Sequence, residues 1–211
     1  MRLNTQGWLV PAGLITLSLV PVVASGMRLI EVAGNPAVTP DNARFLATPL
    51  AIYLHAGGGA VFLILGALQF APGPRGRWHR MSGRVAVAAG LASALAGFWM
   101  TLTFPAEPAN GPLLFAIRLV IGPAWALCLI LGLHAAIRRD ILAHQAWMRR
   151  AYALALGAGT TVIIYGPWYL VTGIDTPTTS ALAQLAAWII NLAIAEIAIA
   201  RAQPRRAVLS A

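Results

Sequence analysis

Lysine is absent from the 211-residue chain, so all 15 of its basic side chains are arginine. Acids are scarce too: six Asp and Glu leave a formal net charge of +9. Charged residues make up 10% of the sequence, where a soluble domain carries roughly 25%. That shortage, with 59% hydrophobic residues, excludes an ordinary water-soluble globule, a disordered chain and a soluble nucleic-acid binder. The single cysteine, Cys128, excludes an internal disulfide framework and a Cys-rich metal site. No Cys-Xaa-Xaa-Cys-His is present, which excludes covalent c-type haem. Also missing are a Gly-rich phosphate loop, a His-Xaa-Xaa-His-His set of a di-iron oxygenase, a Glu-His cluster of a zinc protease and a Ser-His-Asp arrangement.

What is plentiful is apolar sequence, with a mean hydropathy of +0.74. A bilayer-crossing helix needs roughly 20 mostly apolar residues. Six stretches qualify: Trp8 to Gly26, Pro49 to Phe70, Gly83 to Phe104, Leu113 to Ala136, Ala151 to Val171 and Ser180 to Ala200. Turn chemistry separates them, at Ala71-Pro72-Gly73-Pro74, from Pro105 to Pro112, and from Gly173 to Pro177. Pro123 and Pro167 are the mid-span kink candidates. The expected fold is therefore an all-α integral membrane protein, one transmembrane domain over residues 1–211 with six spans.

The arginines sort by side. Arg75, Arg77, Arg80 and Arg84 lie between spans 2 and 3, and Arg138, Arg139, Arg149 and Arg150 between spans 4 and 5. Arg201, Arg205 and Arg206 follow span 6, and Arg2 precedes span 1. Arg28 and Arg44 fall on the other side, among Glu31, Asp41, Glu107 and Asp175. The positive-inside rule then puts both termini in the cytoplasm of a bacterial inner membrane. The plain role of the basic loops is topology and contact with anionic lipid headgroups. The first 26 residues have the outline of a signal peptide, ending at Ala24-Ser25-Gly26. Their apolar run is long for a signal, so an uncleaved span is expected.

Spans 2–3 and 4–5 read as a duplicated helical hairpin. Leu63-Ile64-Leu65-Gly66 recurs as Leu129-Ile130-Leu131-Gly132, and a basic loop follows each copy. Each loop then carries a His with an Arg five residues on, His79 with Arg84 and His144 with Arg149. Hairpins entering from the same side are parallel repeats. The repeat places His79 and His144 at similar depth, each at the start of a helix leaving the cytoplasmic face.

The four histidines differ in setting. His79 lies in Arg77-Trp78-His79-Arg80, and His144 in His144-Gln145-Ala146-Trp147. Both fit an interfacial belt as well as a ligand role. His134 closes span 4, where it suits the helix C-terminus. His55 lies about six residues inside span 2, about 9 Å deep by helical rise. A polar side chain at that depth defaults to a functional reading. The stripe His55, Gly58 or Gly59, Phe62, Gly66, Gln69 shares one helix face. Span 3 has its own stripe of Gly83, Ala86, Gly90, Ala94 and Gly97. Such stripes allow either close helix packing or a groove for a planar cofactor or quinone. Arg118 sits about six residues into span 4 from the outer side, the same offset as His55, so the two can share a level. It either snorkels to the interface or binds a propionate, a quinone oxygen or a lipid phosphate. Glu196, Asn191 and Gln184 on span 6 suit interhelical hydrogen bonds.

Haem iron is commonly held by imidazoles from facing helices. His79 and His144 are the axial pair the repeat suggests, with Arg80, Arg84 and Arg149 neutralising propionates and Trp78 and Trp147 flanking the ring; His134 is the weaker alternative ligand. His55 and Arg118 would form a separate outer site. The leading reading is a redox protein binding haem b, quinone or both. A non-enzymatic membrane scaffold or accessory subunit of a larger complex is the alternative, and a small-molecule transporter the third; the partners expected are lipid headgroups and a membrane redox complex or a second copy of the chain in a homo-oligomer.

These residues carry a resemblance. His55 with its Gly-rich turn, Leu65-Gly66-Ala67-Leu68-Gln69-Phe70, His79-Arg80-Met81-Ser82-Gly83-Arg84 and His144-Gln145-Ala146-Trp147-Met148-Arg149-Arg150-Ala151-Tyr152 together resemble a bacterial family of predicted membrane proteins of unknown function. That family's patterns are HRxxGR and HxxWMxR, and the resemblance covers about residues 49 to 170. More loosely, the arrangement is similar to the ascorbate-reducible b-type cytochromes, six-span proteins with His on four successive core helices. That likeness implies haem ligation by His79 and His144 on spans 3 and 5, and a role for His55 on span 2. The sequence departs from the pattern on span 4, where His134 lies at the inner end and Arg118 stands near the outer one.

Overall fold

The computed structural model describes residues 5–73, 76–105 and 110–202. Arg2, Arg75, Glu107, Arg205 and Arg206 lie outside the described residues. The elements are all helical: α1 (Thr5–Ala33), α2 (Ala43–Ala47), α3 (Pro49–Ile52), a π turn (Tyr53–Gly57), α4 (Gly58–Leu68), α5 (Arg77–Thr103), α6 (Gly111–Ile137), α7 (Ile141–Ala155), α8 (Gly157–Thr172) and α9 (Pro177–Ala202). Among the described residues, five helical stretches are long and apolar enough to cross a membrane: Gly7–Ala33, Pro49–Leu68, Arg77–Thr103, Gly111–Ile137 and Pro177–Ala202. The pair α7 and α8, bent by 40°, makes a sixth when taken as one span. The protein is thus an all-α, multi-spanning membrane protein.

Several helices start before or run past the apolar stretches that announce them, while the helix of the second span ends at Leu68, short of Phe70. α5 begins at Arg77, not Gly83, because a helix satisfies its own backbone groups wherever it runs, and Arg77, Arg80 and Arg84 are exposed on it. The fifth span departs further from expectation. An unbroken helix from Ala151 to Val171 was expected, with Pro167 its kink candidate; the break instead falls at Leu156, between α7 and α8.

α1, α4, α5, α6, α9 and α8 pack in sequence around the bundle, α8 returning to α1, and α7 rises among α6, α9 and α4. Ala151, Tyr152, Ala153 and Leu154 of α7 are all buried, whereas only Gly157 and Gly159 of α8 are. The 40° bend therefore carries one span from the middle of the bundle to its periphery. The core gathers Phe62, Leu63, Ala67, Ala86, Leu129, Ala151, Tyr152 and Leu154. Tyr152 fastens it: its phenol donates to the Leu63 carbonyl at 2.9 Å and lies 3.4 Å from the Ser18 hydroxyl.

The two small-residue stripes interlock. A Cβ on Gly58 would meet the Ala89 carbonyl oxygen at 2.6 Å, and one on Gly90 would meet the Phe62 ring at 2.7 Å. Both stripes are therefore used for close packing of α4 on α5. The turn from α6 to α7 is tight. Arg139 takes a left-handed conformation (φ 60°), Asp140 N–H bonds the Ala135 carbonyl at 2.9 Å, and the Asp140 carboxylate caps α7 by accepting from Ala143 N–H at 3.0 Å.

Candidate functional site

His55 sits within the π turn, and π turns recur at functional sites because the ladder there frees backbone groups. Here the His55 carbonyl accepts the Ser93 hydroxyl of α5 at 2.7 Å. The His55 ring in turn places Nδ1 3.0 Å from the Ser93 carbonyl. A carbonyl only accepts, so Nδ1 carries the proton, and the Nε2 of the neutral ring is left as an acceptor. The ring rests on Gly97, where a Cβ would stand 2.7 Å from Nδ1. His55 is nevertheless exposed on the surface of the bundle. α5 packs both on the π turn that carries His55 and on α6, the helix that carries the half-buried Arg118. Ser93 is the member of this group that the sequence did not single out; its only outward signal is a buried hydroxyl on the small-residue face of α5.

The other predicted residues gather at the arginine-rich end without converging. His79 lines a cavity of about 210 Å³ with Trp8, Gln69 and Trp78, between α1, the end of α4 and the start of α5. Trp78 is 68% exposed, and Arg80 and Arg84 are exposed beside it. His144 places Nδ1 2.9 Å from the Gly132 carbonyl of α6. α5 packs on α4 and α6, while α7 packs on α6 and α9, so His79 and His144 stand on helices with no extended contact. The Trp147 face is covered by the Arg150 guanidinium, 4.8 Å from the ring centroid. Arg149 donates to the Ala198 carbonyl of α9 at 3.3 Å. His134 is exposed at the end of α6. Among the described residues no group of three or more His, Cys, Asp or Glu is disposed to hold a metal ion.

Of the polar residues of span 6 expected to bond between helices, Glu196 and Asn191 do so. Glu196 accepts from Arg150 at 2.5 and 2.8 Å. Asn191 donates to the Ala153 carbonyl at 3.2 Å and accepts from Thr160 at 2.9 Å. Trp188, which the sequence did not mark, donates to the Leu154 carbonyl at 3.0 Å.

No curated protein and no solved structure matches the chain. Residues 52–199, a stretch holding His55, Ser93, Arg118, His79 and His144, match the family model described as "Predicted membrane protein (DUF2306)". A match over that much of a multi-spanning helical chain assigns it: the protein belongs to this bacterial-type family of integral membrane proteins, consistent with an inner-membrane location.

Proposed function

We propose that the protein is a membrane redox component that binds a quinone headgroup at His55 and Arg118. The observation that carries this reading is the fixed His55 ring, held through Nδ1 by Ser93 and exposed on a face reachable from the bilayer. Quinones are lipid-soluble, so a site open laterally suits their approach. The Nε2 acceptor can take a proton from a quinol hydroxyl, and a protonated ring can donate to a quinone carbonyl. The guanidinium would offset negative charge on the second oxygen or on a reduced ring. Ser93 acts as the positioning residue, because its carbonyl sets the tautomer and its hydroxyl holds the π turn.

Haem b between His79 and His144 has less support. The pair would have to converge from α5 and α7, while Trp147 and Arg149 already have partners in Arg150 and Ala198.

The test is purification in native lipids, extraction and quantification of bound quinone, and titration of a short-chain quinone against tryptophan fluorescence. Saturable binding is expected in the wild type, weakened at least about tenfold, the equivalent of about 1.4 kcal/mol, in His55→Leu and in Arg118→Gln. Absence of saturable binding in the wild type would overturn the reading. An absorption spectrum of the same sample tests haem: a Soret band that shifts with dithionite and vanishes in His79→Ala or His144→Ala would replace the quinone site with a haem site.

A further inference from the structure

The break in the fifth span lies where a regular helix would be expected, and α9 is built around it. On either side of Leu156 the backbone ladder passes from Leu156 N–H on the Tyr152 carbonyl (2.9 Å) to Thr160 N–H on the Leu156 carbonyl (3.1 Å). The carbonyls of Ala153 and Leu154 are taken by side chains of α9, the Asn191 amide and the Trp188 indole. Thr160, on the far side of the break, donates to the Asn191 amide oxygen at 2.9 Å, so one asparagine grips both halves. Glycine makes the grip possible. A Cβ on Gly157 would lie 2.2 Å from Trp188 Nε1, and one on Gly159 would lie 2.1 Å from the Leu17 carbonyl oxygen of α1. Non-helical backbone within a membrane needs such donors, because lipid supplies none.

The halves are held very differently. α7 is fixed to α9 a second time by the Arg150–Glu196 pair and by Arg149 on the Ala198 carbonyl. α8 also packs on α9 and on α1, but only Gly157 and Gly159, at its start, are buried, and its far end is open, with Leu170 84% and Val171 85% exposed. We propose that the fifth span is a latched hinge: α8 swings about Leu156 while α7 stays on α9, and the Ala153 and Leu154 carbonyls exchange the Asn191 and Trp188 donors for N–H groups of the span itself. In the straightened state Gly157 and Ala158 N–H would complete the ordinary i to i+4 ladder. The lever is long. α8 has 16 residues and is bent by 40° from α7. At helical rise it spans about 24 Å, so full straightening carries its outer end by about 16 Å.

Spin-label distance measurements in lipid nanodiscs test this on the full chain in a Cys128→Ala background. One label pair, at Ile30 and Val171, reports the outer ends of α1 and α8; a second, at Ile141 and Ile197, reports α7 on α9. Trp188→Phe keeps most of the ring and removes the donor; Asn191→Leu removes the amide; Gly157→Ala presses on Trp188 from the opposite side. Interhelical bonds in membranes are worth a few-fold each, so losing both donors shifts the straight-to-bent ratio roughly tenfold. The expected result is a second, displaced population at the outer pair in the Trp188→Phe/Asn191→Leu and Gly157→Ala variants, with the inner pair unmoved. Outer distances identical to the wild type in every variant, or inner and outer pairs shifting together, would overturn the hinge. Trp188→Phe alone, the mildest change, must show the same outer displacement to a smaller extent.

Discussion

Gly90 and Gly97 lie two turns apart on the face of α5 that meets the second span, and the side chain each one touches decides what an added methyl does. At Gly90 the new Cβ would stand 2.7 Å from Phe62 Cδ2 and 3.1 Å from Leu129 Cδ1. Phe62 is 4% exposed and is boxed by Trp125 and Tyr152, with ring centroids 5.6 and 5.9 Å away. It has nowhere to go. Overpacking of this kind costs about 1–3 kcal/mol, which for a chain of this size lowers Tm by about 2–12 °C. At Gly97 the Cβ would stand 2.7 Å from His55 Nδ1 and 2.8 Å from Cε1. His55 is exposed and can rotate away, so the methyl is accommodated by giving up the 3.0 Å bond to the Ser93 carbonyl. One such hydrogen bond is worth about 1 kcal/mol of folding stability, and a ring no longer held in place should lose quinone affinity. Gly97→Ala should therefore weaken binding with a Tm loss of only about 2–4 °C, and Gly90→Ala should lower Tm by more while the binding constant of the folded fraction is kept. Thermal unfolding in detergent and quinone titration of both variants decide the matter. Equal losses of Tm in the two variants, or unchanged quinone binding in Gly97→Ala, would refute the reasoning.

Further predictions concern the frame around the site. Asp140→Ala removes the cap on α7 and should cost about 1 kcal/mol, seen as a lower Tm that Asp140→Asn largely restores, since asparagine caps nearly as well. Tyr152→Phe keeps the buried ring but removes the donor to the Leu63 carbonyl. A loss of about 0.5–1.5 kcal/mol is expected, and a stability equal to the wild type would show that this bond does not contribute to holding α7 in the core.

The parts of this fold that are legible in the sequence are those set by periodicity and solvation. The interlocked stripes show in the spacing of Gly58, Phe62 and Gly66 and of Gly83, Gly90 and Gly97, because small residues at helical period have an obvious use. His55 announces itself by the cost of polarity at depth, and so does Arg118. The break at Leu156 is not legible. Pro167 is the conspicuous breaker, yet a proline in a span can be absorbed, whereas the actual break depends on donors from Trp188 and Asn191, more than thirty residues away. The wrapping of α7 by α4, α6 and α9 is hidden for the same reason, and with it the separation of His79 from His144. Repeat logic equates depth along the membrane normal and says nothing about lateral position within the bundle.

The π turn at Tyr53–Gly57 also acts as a phase shift. It holds one residue more than an α turn, so the segment before it is rotated by about 100° relative to a continuous α-helix. The inward face at Ala51 and Ile52 is thus set independently of the inward face at Phe62, Leu63, Gly66 and Ala67. One span carries two registers. The inner register is committed to the jigsaw with α5 and α7, while the outer one can be retuned around His55 without disturbing that core.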